Sequence, residues 1–165
     1  MSRVAVLGLG SPFGDDRVGW EVAQGLGRIA WAEHGSDSVV TVDCLDRPGA
    51  GLLERLRNAD CVILIDAMRS GAPAGTLRRM DPDEMLADAD SPSSHGFGLA
   101  QTLALGRALG ELPSNLVLFG IEADAFDGPH ISPALEAAMP GLVERMAGHV
   151  RDLLLGGLSA NAHGV

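Results

Sequence analysis

Three side chains that are far apart in the chain, those of Asp16, Asp66 and His95, have the chemistry of a metal-ligand set. Asp16 lies in a turn after a first apolar run, Asp66 directly follows a second, and His95 precedes a helical segment. Two carboxylates and one imidazole, with coordination positions left open, suit a borderline divalent ion such as Zn²⁺, Ni²⁺ or Mn²⁺. Without a cation, repulsion between the two carboxylates would raise the pKa of one of them. The chain has no local ligand motif of the H-E-x-x-H kind, so this set depends on the fold.

Each of these residues also has a purely structural interpretation. Asp15 and Asp16 stand at the start of a predicted helix, where a carboxylate cap and the helix dipole together contribute about 1 to 2 kcal/mol. Because one cap is enough, we assign that role to Asp15 and leave Asp16 for the metal. Asp66 could instead cap or close the turn that follows it, and His95 could hydrogen-bond at the start of its helix. The remaining histidines are expected at the surface: His34, His130, His149 and His163.

Apolar patterning predicts strands that alternate with helices. The first helix, about residues 16–30, places Val18, Val22 and Leu26 on one face, as a helical period requires. Residues 60–66 are apolar almost throughout, which is typical of a central parallel strand that is buried on both faces. Further strands are predicted at about residues 3–9, 38–43, 75–80 and 115–121, and further helices at 50–58, 96–109 and 132–155.

This alternation predicts a three-layer α/β/α sandwich around a mostly parallel, twisted sheet of about five strands. If the strand order begins 2-1-3, Asp16 and Asp66 face each other across the crevice at the carboxyl ends of the first and third strands. Gly19 would let the first helix approach the sheet closely, and Pro140 is expected to kink or split the last helix. We expect one domain over residues 1–155 and a disordered tail over residues 156–165.

Composition and charge exclude several classes of protein. The chain has 165 residues, 46% of them hydrophobic, and its net charge of −10 argues against nucleic-acid binding. All twelve basic residues are arginines, which excludes chemistry that needs a lysine. Cys44 and Cys61 are not closely spaced, and we expect both to be small buried residues of a reduced compartment. The N-terminal residues predict neither a signal peptide nor a membrane span, so we expect a cytoplasmic protein with no membrane partner.

Two other classes share parts of this layout. Gly8 and Gly10 follow a strand as in a dinucleotide-binding fingerprint, but Phe13 occupies the place of the third glycine. Pro12 also removes a backbone donor from the phosphate cradle. A receiver-like signalling module likewise has acidic residues after its first and third strands, yet it needs a lysine that this chain lacks.

Several segments, taken in order, resemble those of the hydrogenase maturation endopeptidases, and the likeness covers residues 3 to about 150. Each match is loose by itself, and the ordered set is specific. The segments are Val6-Leu-Gly-Leu-Gly-Ser-Pro-Phe-Gly-Asp-Asp-Arg-Val-Gly-Trp20, Val62-Ile-Leu-Ile-Asp-Ala67, Gly75-Thr76, Ser94-His-Gly-Phe-Gly-Leu99, Leu112-Pro-Ser-Asn-Leu-Val-Leu-Phe-Gly-Ile-Glu122 and Ile131-Ser-Pro133.

This resemblance implies a peptidase that removes the C-terminal extension of a nickel-loaded NiFe-hydrogenase large-subunit precursor, which is its protein partner. In that family, an acidic residue after strand one, an aspartate after strand three and a histidine before a later helix bind the metal. These positions fall on Asp16, Asp66 and His95, which the resemblance implies as both metal ligands and catalytic residues. The implied metal is Ni²⁺ supplied by the substrate, for which Zn²⁺ or Cd²⁺ could substitute, and a monomer is favoured.

The chain departs from the family pattern in three places and keeps the three ligands. The usual Gly-Asn after the first strand is Gly10-Ser11, the glycine after the acidic pair is Arg17, and Arg47-Pro48-Gly49 stands near the place of Gly-Thr. Which hydrogenase is processed stays open. So does the role of the ion, which could polarise the scissile carbonyl, activate water or serve only as a recognition handle. The alternative is a non-catalytic binding or chaperone-like protein that recognises a metal-loaded partner.

Overall fold

The computed structural model describes residues 3–34, 38–87 and 98–156. The sheet in these ranges has the strand order β2-β1-β3-β5-β4, with β4 antiparallel to β5 and the other neighbours parallel. The order therefore begins 2-1-3, which confirms that prediction and places a topological switch point at the carboxyl ends of β1 and β3. The strands are β1 (Arg3–Gly10), β2 (Val39–Asp46), β3 (Cys61–Met68), β4 (Leu77–Met80) and β5 (Asn115–Glu122).

Helices cover both faces of the sheet, so the predicted three-layer sandwich is confirmed. Ile63 and Ile65 of β3 pack in one apolar cluster with α1 and α5, whereas Leu64 packs in a second cluster with α2 and α4. All eight residues of β3 are buried, as expected of a central strand. The helices in the described ranges are α1 (Val18–Gly27), α2 (Leu52–Leu56), α3 (Pro82–Ala87), α4 (Leu99–Leu109) and α5 (Pro133–Leu155).

Several local predictions need correction. A 3₁₀ turn (Gly14–Arg17) precedes α1, so the first α-helix begins later and ends earlier than residues 16–30. Cys61 is buried as predicted, but Cys44 is exposed, because β2 is an edge strand that pairs only with β1. Helix α5 runs unbroken through Pro140, which excludes a split, one of the two predicted outcomes; buried side chains on both sides of the proline hold the helix against the sheet.

Two further expectations concern the histidines and the tail. His130 is exposed as predicted, but His149 is half-buried, and its ring centroid lies 4.8 Å from that of Phe119. The side chain of His34, the whole of His163 and residues 157–165 lie outside the described residues, so the tail stays a prediction. Within the described ranges, no helix combines the length and apolar character that a membrane span needs.

Helix α1 begins in direct contact with the backbone of β1 and β3. A Cβ atom added at Gly19 would lie 2.4 Å from the carbonyl oxygen of Leu9 and 2.6 Å from that of Ile65. A Cβ atom at Gly8 would lie 2.4 Å from the carbonyl oxygen of Gly19. This close approach confirms the role predicted for Gly19, and it places the 3₁₀ turn before α1 directly over the end of β1.

We expect Gly19→Ala to destabilise the protein by about 3 kcal/mol or more, because its methyl group would overlap backbone atoms that cannot rotate away. The gain of helix propensity, about 1 kcal/mol, does not offset this. The measurement is the free energy of unfolding in urea. The control is Gly141→Ala in α5, where an added Cβ meets no atom within 4 Å and should stabilise the helix. Equal stabilities of the two variants would contradict the close approach.

Candidate functional site

A cleft of about 340 Å³ opens at the carboxyl ends of β1 and β3. Helices α2 and α4 contribute to its wall through Leu52, Leu99 and Thr102. Among its lining residues in the described ranges, the charged ones are Asp16, Arg47 and Asp66. The cleft therefore lies where an open α/β sheet binds ligands, and it contains two of the three predicted metal ligands.

Asp66 lies inside β3, which continues two residues beyond the end predicted at residue 66. It pairs with Gly120 of β5, and the strand continues to Met68. The alternation of side chains puts Asp66 on the same face as Leu64, towards α2 and α4. Its carboxylate is buried, and the backbone N–H of Ala67 donates to it at 2.8 Å. Burial, with the neighbouring charge of Asp16 adding to it, raises the pKa of Asp66 to about 8.

Asp16 reaches the same cleft from the 3₁₀ turn, where it is half-buried. The chain folds back tightly here, since a Cβ atom at Gly10 would lie 2.2 Å from the carbonyl oxygen of Asp16. His95 lies outside the described residues. The described chain resumes at Gly98, which lines the cleft together with Leu99 at the start of α4. The structure thus brings two predicted ligands together and leaves the third as a prediction.

The donor chemistry of this cleft fits a divalent cation. Two carboxylates share it, and burial together with the charge of Asp16 disfavours the ionised form of Asp66. A cation between them would offset that repulsion and favour the ionised form of Asp66. In residues 3–34, 38–87 and 98–156, no group of three His, Cys, Asp or Glu side chains is placed to hold an ion. A third protein ligand such as His95 would therefore belong to the part of the chain that is not described.

Asp15 does not cap α1, so that assignment was wrong. The 3₁₀ turn has no side-chain cap, and the buried Asp15 carboxylate accepts hydrogen bonds from Asp124, Ala125 and Ser132. Burial acts to raise the pKa of Asp15, but these hydrogen bonds together lower it below its usual value. Ser132 stands at the N-cap of α5, as predicted, yet its hydroxyl donates to Asp15 and does not cap the helix.

Arg47 contributes the positive charge at the mouth of the cleft. It has a φ of 42°, which a residue with a side chain rarely adopts, and its backbone N–H donates to the carbonyl oxygen of Gly10 at 3.0 Å. Its guanidinium donates to Asp46 at 2.7 Å and lies 5.9 Å from the ring centroid of Phe13. The sequence marked Arg47 only as a departure from the family pattern, and its place in the cleft was not predicted.

Glu122 is a second buried carboxylate whose role the sequence did not reveal. It ends β5 and accepts hydrogen bonds from the backbone N–H groups of Ser70 and Gly71 and from the Ser70 hydroxyl. Burial acts to raise the pKa of Glu122, but these bonds, with the charge of Arg69, lower it. A carboxylate at the end of an apolar strand was the available signal, and Asp66 shows the same one. Glu122 does not line the cleft. Its hydrogen bonds instead fix the loop that follows β3.

Comparisons with known proteins agree on one family. Residues 33–149 match the model of a family described as hydrogenase maturation protease. The chain is 32% identical over 147 residues to the hydrogenase expression/formation protein HupD of Thiocapsa roseopersicina, covering 73% of this chain and 66% of that protein. It is 28% identical over 158 residues to the hydrogenase 2 maturation protease of Escherichia coli K12, covering 91% and 92%. It thus spans just under two thirds of the first relative and most of the second.

The fold is shared with solved structures as well. An endopeptidase from Escherichia coli, known from its solution structure, superposes on the chain with a TM-score of 0.72 and 29% sequence identity. The superposition covers 91% of this chain and 93% of that one. The sheet and helices that form the cleft therefore belong to an architecture that the relatives share.

Asp66 should make stability fall as the pH rises. Its pKa of about 8 in the folded protein exceeds the ordinary value of 3.8, so between these values the folded state binds more protons than the unfolded state. The stabilisation that protonated Asp66 adds to the free energy of unfolding is fully present below about pH 4. It is lost as the pH rises through about 8, by at most about 1.4 kcal/mol for each pH unit. We expect Asp66→Asn to remove this slope, so that the variant gains stability relative to the parent between about pH 5 and about pH 8.

Urea unfolding of the two proteins at both pH values provides the measurement. The control is Asp152→Asn, an exposed aspartate of α5 that lies outside the cleft and should keep the parental slope. Identical pH slopes in the parent and in Asp66→Asn would mean that Asp66 is already ionised in the folded protein.

Proposed function

The chain belongs to the hydrogenase maturation protease family, a family of peptidases, and on that premise we propose that it removes the C-terminal extension of a nickel-loaded NiFe-hydrogenase large-subunit precursor. The observation that supports this proposal at the site is that Asp16 and Asp66 line one cleft, where burial and the charge of Asp16 raise the pKa of Asp66. Such a pair is ready to receive a cation that the substrate brings.

Recognition of the metal-loaded precursor would depend on Asp66. In the free protein at neutral pH, burial and the charge of Asp16 favour its protonated form. The positive charge of the precursor's nickel favours the ionised form, so binding releases a proton and gains two anionic ligands. In our proposal His95 supplies the third. A precursor without metal offers no such charge, and the cleft would hold it more weakly.

Cleavage would use water as the nucleophile. The cleft lining in the described ranges contains no serine or cysteine, and its one hydroxyl, on Thr102, is buried in α4. A divalent ion can polarise a carbonyl group or simply hold the peptide in place. In either case we assign to the two aspartates the positioning of the scissile peptide. One of them would accept the proton that the attacking water loses and return it to the amine that leaves when the peptide bond breaks.

We expect Asp16→Ala, Asp66→Ala and His95→Ala each to slow processing by more than about 100-fold, since each removes a proposed ligand that positions the precursor, and the aspartates also accept the proton. The measurement is the mass of the large subunit after incubation with nickel-loaded precursor. Asp152→Ala, which changes an exposed aspartate outside the cleft, should process at the parental rate. Cleavage at the parental rate by all three variants would contradict the proposed site.

A second arm uses precursor prepared without nickel. We expect no cleavage of it by the parent protein, and restored cleavage when nickel is loaded. Binding of the loaded precursor without any change in mass would instead identify a non-catalytic binding protein of the same fold.

A further inference from the structure

We propose that Asp15 is a positioning residue, whose buried carboxylate fixes Asp16 by binding the loop between β5 and α5, residues 123–132, to the 3₁₀ turn. The proposal rests on the proposed function only in giving Asp16 its role. The claim that Asp15 restricts the position of Asp16 is tested separately from that role.

The carboxylate is the centre of the contact between turn and loop. Asp15 is 0% exposed, and its Oδ2 accepts from the backbone N–H groups of Asp124 at 2.8 Å and Ala125 at 2.9 Å. Ser132 donates to both carboxylate oxygens of Asp15, from its backbone N–H to Oδ1 at 2.6 Å and from its hydroxyl to Oδ2 at 2.8 Å. Four donors therefore converge on one anion, and loss of its charge would leave buried donors poorly satisfied.

Backbone contacts make the same junction close-packed. The N–H of Gly14 donates to the carbonyl oxygen of Gly128 at 2.7 Å, and that of Asp15 donates to Ala125 at 2.8 Å. Gly14 has a φ of 51°, and a Cβ atom there would lie 2.8 Å from the carbonyl carbon of Phe126. The turn cannot move towards the loop without a backbone clash.

Asp16 is confined from both sides as a result. Arg17, which follows it, donates from its guanidinium to the carbonyl oxygen of Pro129 in the same loop at 3.3 Å. The backbone of Asp16 also lies against Gly10, where no Cβ atom would fit. Residues on each side of Asp16 are thus fixed to one loop, while its own side chain lines the cleft. Since a displacement of about 1 Å at a reacting group can cost 100-fold in rate, this confinement matters for function.

A general loss of stability must be separated from a loss of position, and Glu122 provides the matched control. It too is a buried carboxylate with backbone N–H and hydroxyl donors from one loop, but that loop follows β3 and Glu122 does not line the cleft. Glu122→Gln and Asp15→Asn both replace a buried carboxylate by an amide. Only Asp15 lies beside Asp16.

The experiment compares these two variants by thermal unfolding, amide hydrogen exchange and Cd²⁺ affinity in the absence of any precursor. We expect both to lower the Tm. In Asp15→Asn, exchange of the amides of residues 16–19 should rise by more than about tenfold and Cd²⁺ affinity should fall by about 10- to 100-fold. In Glu122→Gln, faster exchange should be confined to residues 70–71, and Cd²⁺ affinity should stay within about twofold of the parent.

Ser132→Ala, which removes only the hydroxyl donor to Asp15, should show the same pattern as Asp15→Asn in weaker form, and it carries the test if Asp15→Asn does not fold. Parental exchange at residues 16–19 in the folded Asp15 or Ser132 variant would overturn the proposal, and so would an equal effect of Glu122→Gln there. A failure of the proposed function gives a different result. Asp16→Ala would then leave the Cd²⁺ affinity unchanged, whereas amide exchange in the Asp15 and Ser132 variants would still show that Asp15 confines Asp16.

Discussion

The close approach of α1 to the sheet is the contact on which the site depends. Gly8 and Gly19 let the backbone of the helix touch that of β1 and β3, with no room for a Cβ atom at either position. Because the helix begins so near the strands, the turn before it must fold over the end of β1. That turn carries Asp16 to the cleft that Asp66 enters from β3. The backbone contacts of α1 with β1 and β3 at these glycines thus bring together two carboxylates that are far apart in the sequence.

The buried carboxylates of the described chain differ in how well their charge is compensated, and this difference supports the proposed cation. Asp15 and Glu122 are each surrounded by backbone N–H and hydroxyl donors, which lower the pKa of both despite burial. Asp66 has one such donor and a neighbouring negative charge, and its pKa is raised to about 8. The fold therefore satisfies two of these buried carboxyl groups and leaves the third, in the cleft, with a single hydrogen-bond donor. A carboxyl group with so raised a pKa, near the carboxyl end of a central parallel strand, is a candidate ligand for the cation that we propose.

Sequence patterning predicted the architecture and the meeting of Asp16 with Asp66, because both follow from local periodicity and strand order. It did not predict what Asp15 does, since its partners at residues 124–132 are adjacent only after α5 has packed. The exposure of Cys44 was also missed, because a β-branched run does not reveal which strand lies at the edge. Pro140 was expected to kink or split α5, and the burial of Leu142 and Met146 keeps the helix in one piece. In each case the outcome was decided by the tertiary surroundings, which local patterning does not show.

Our central proposal is that the cleft between β1 and β3 holds a divalent ion on Asp16 and Asp66. Anomalous diffraction from crystals soaked in Cd²⁺ tests it most directly. We expect a single strong peak in the cleft, within coordination distance of both carboxylates and of a His95 ring nitrogen. A peak at another place on the surface, with the cleft left vacant in the same crystals, would contradict it.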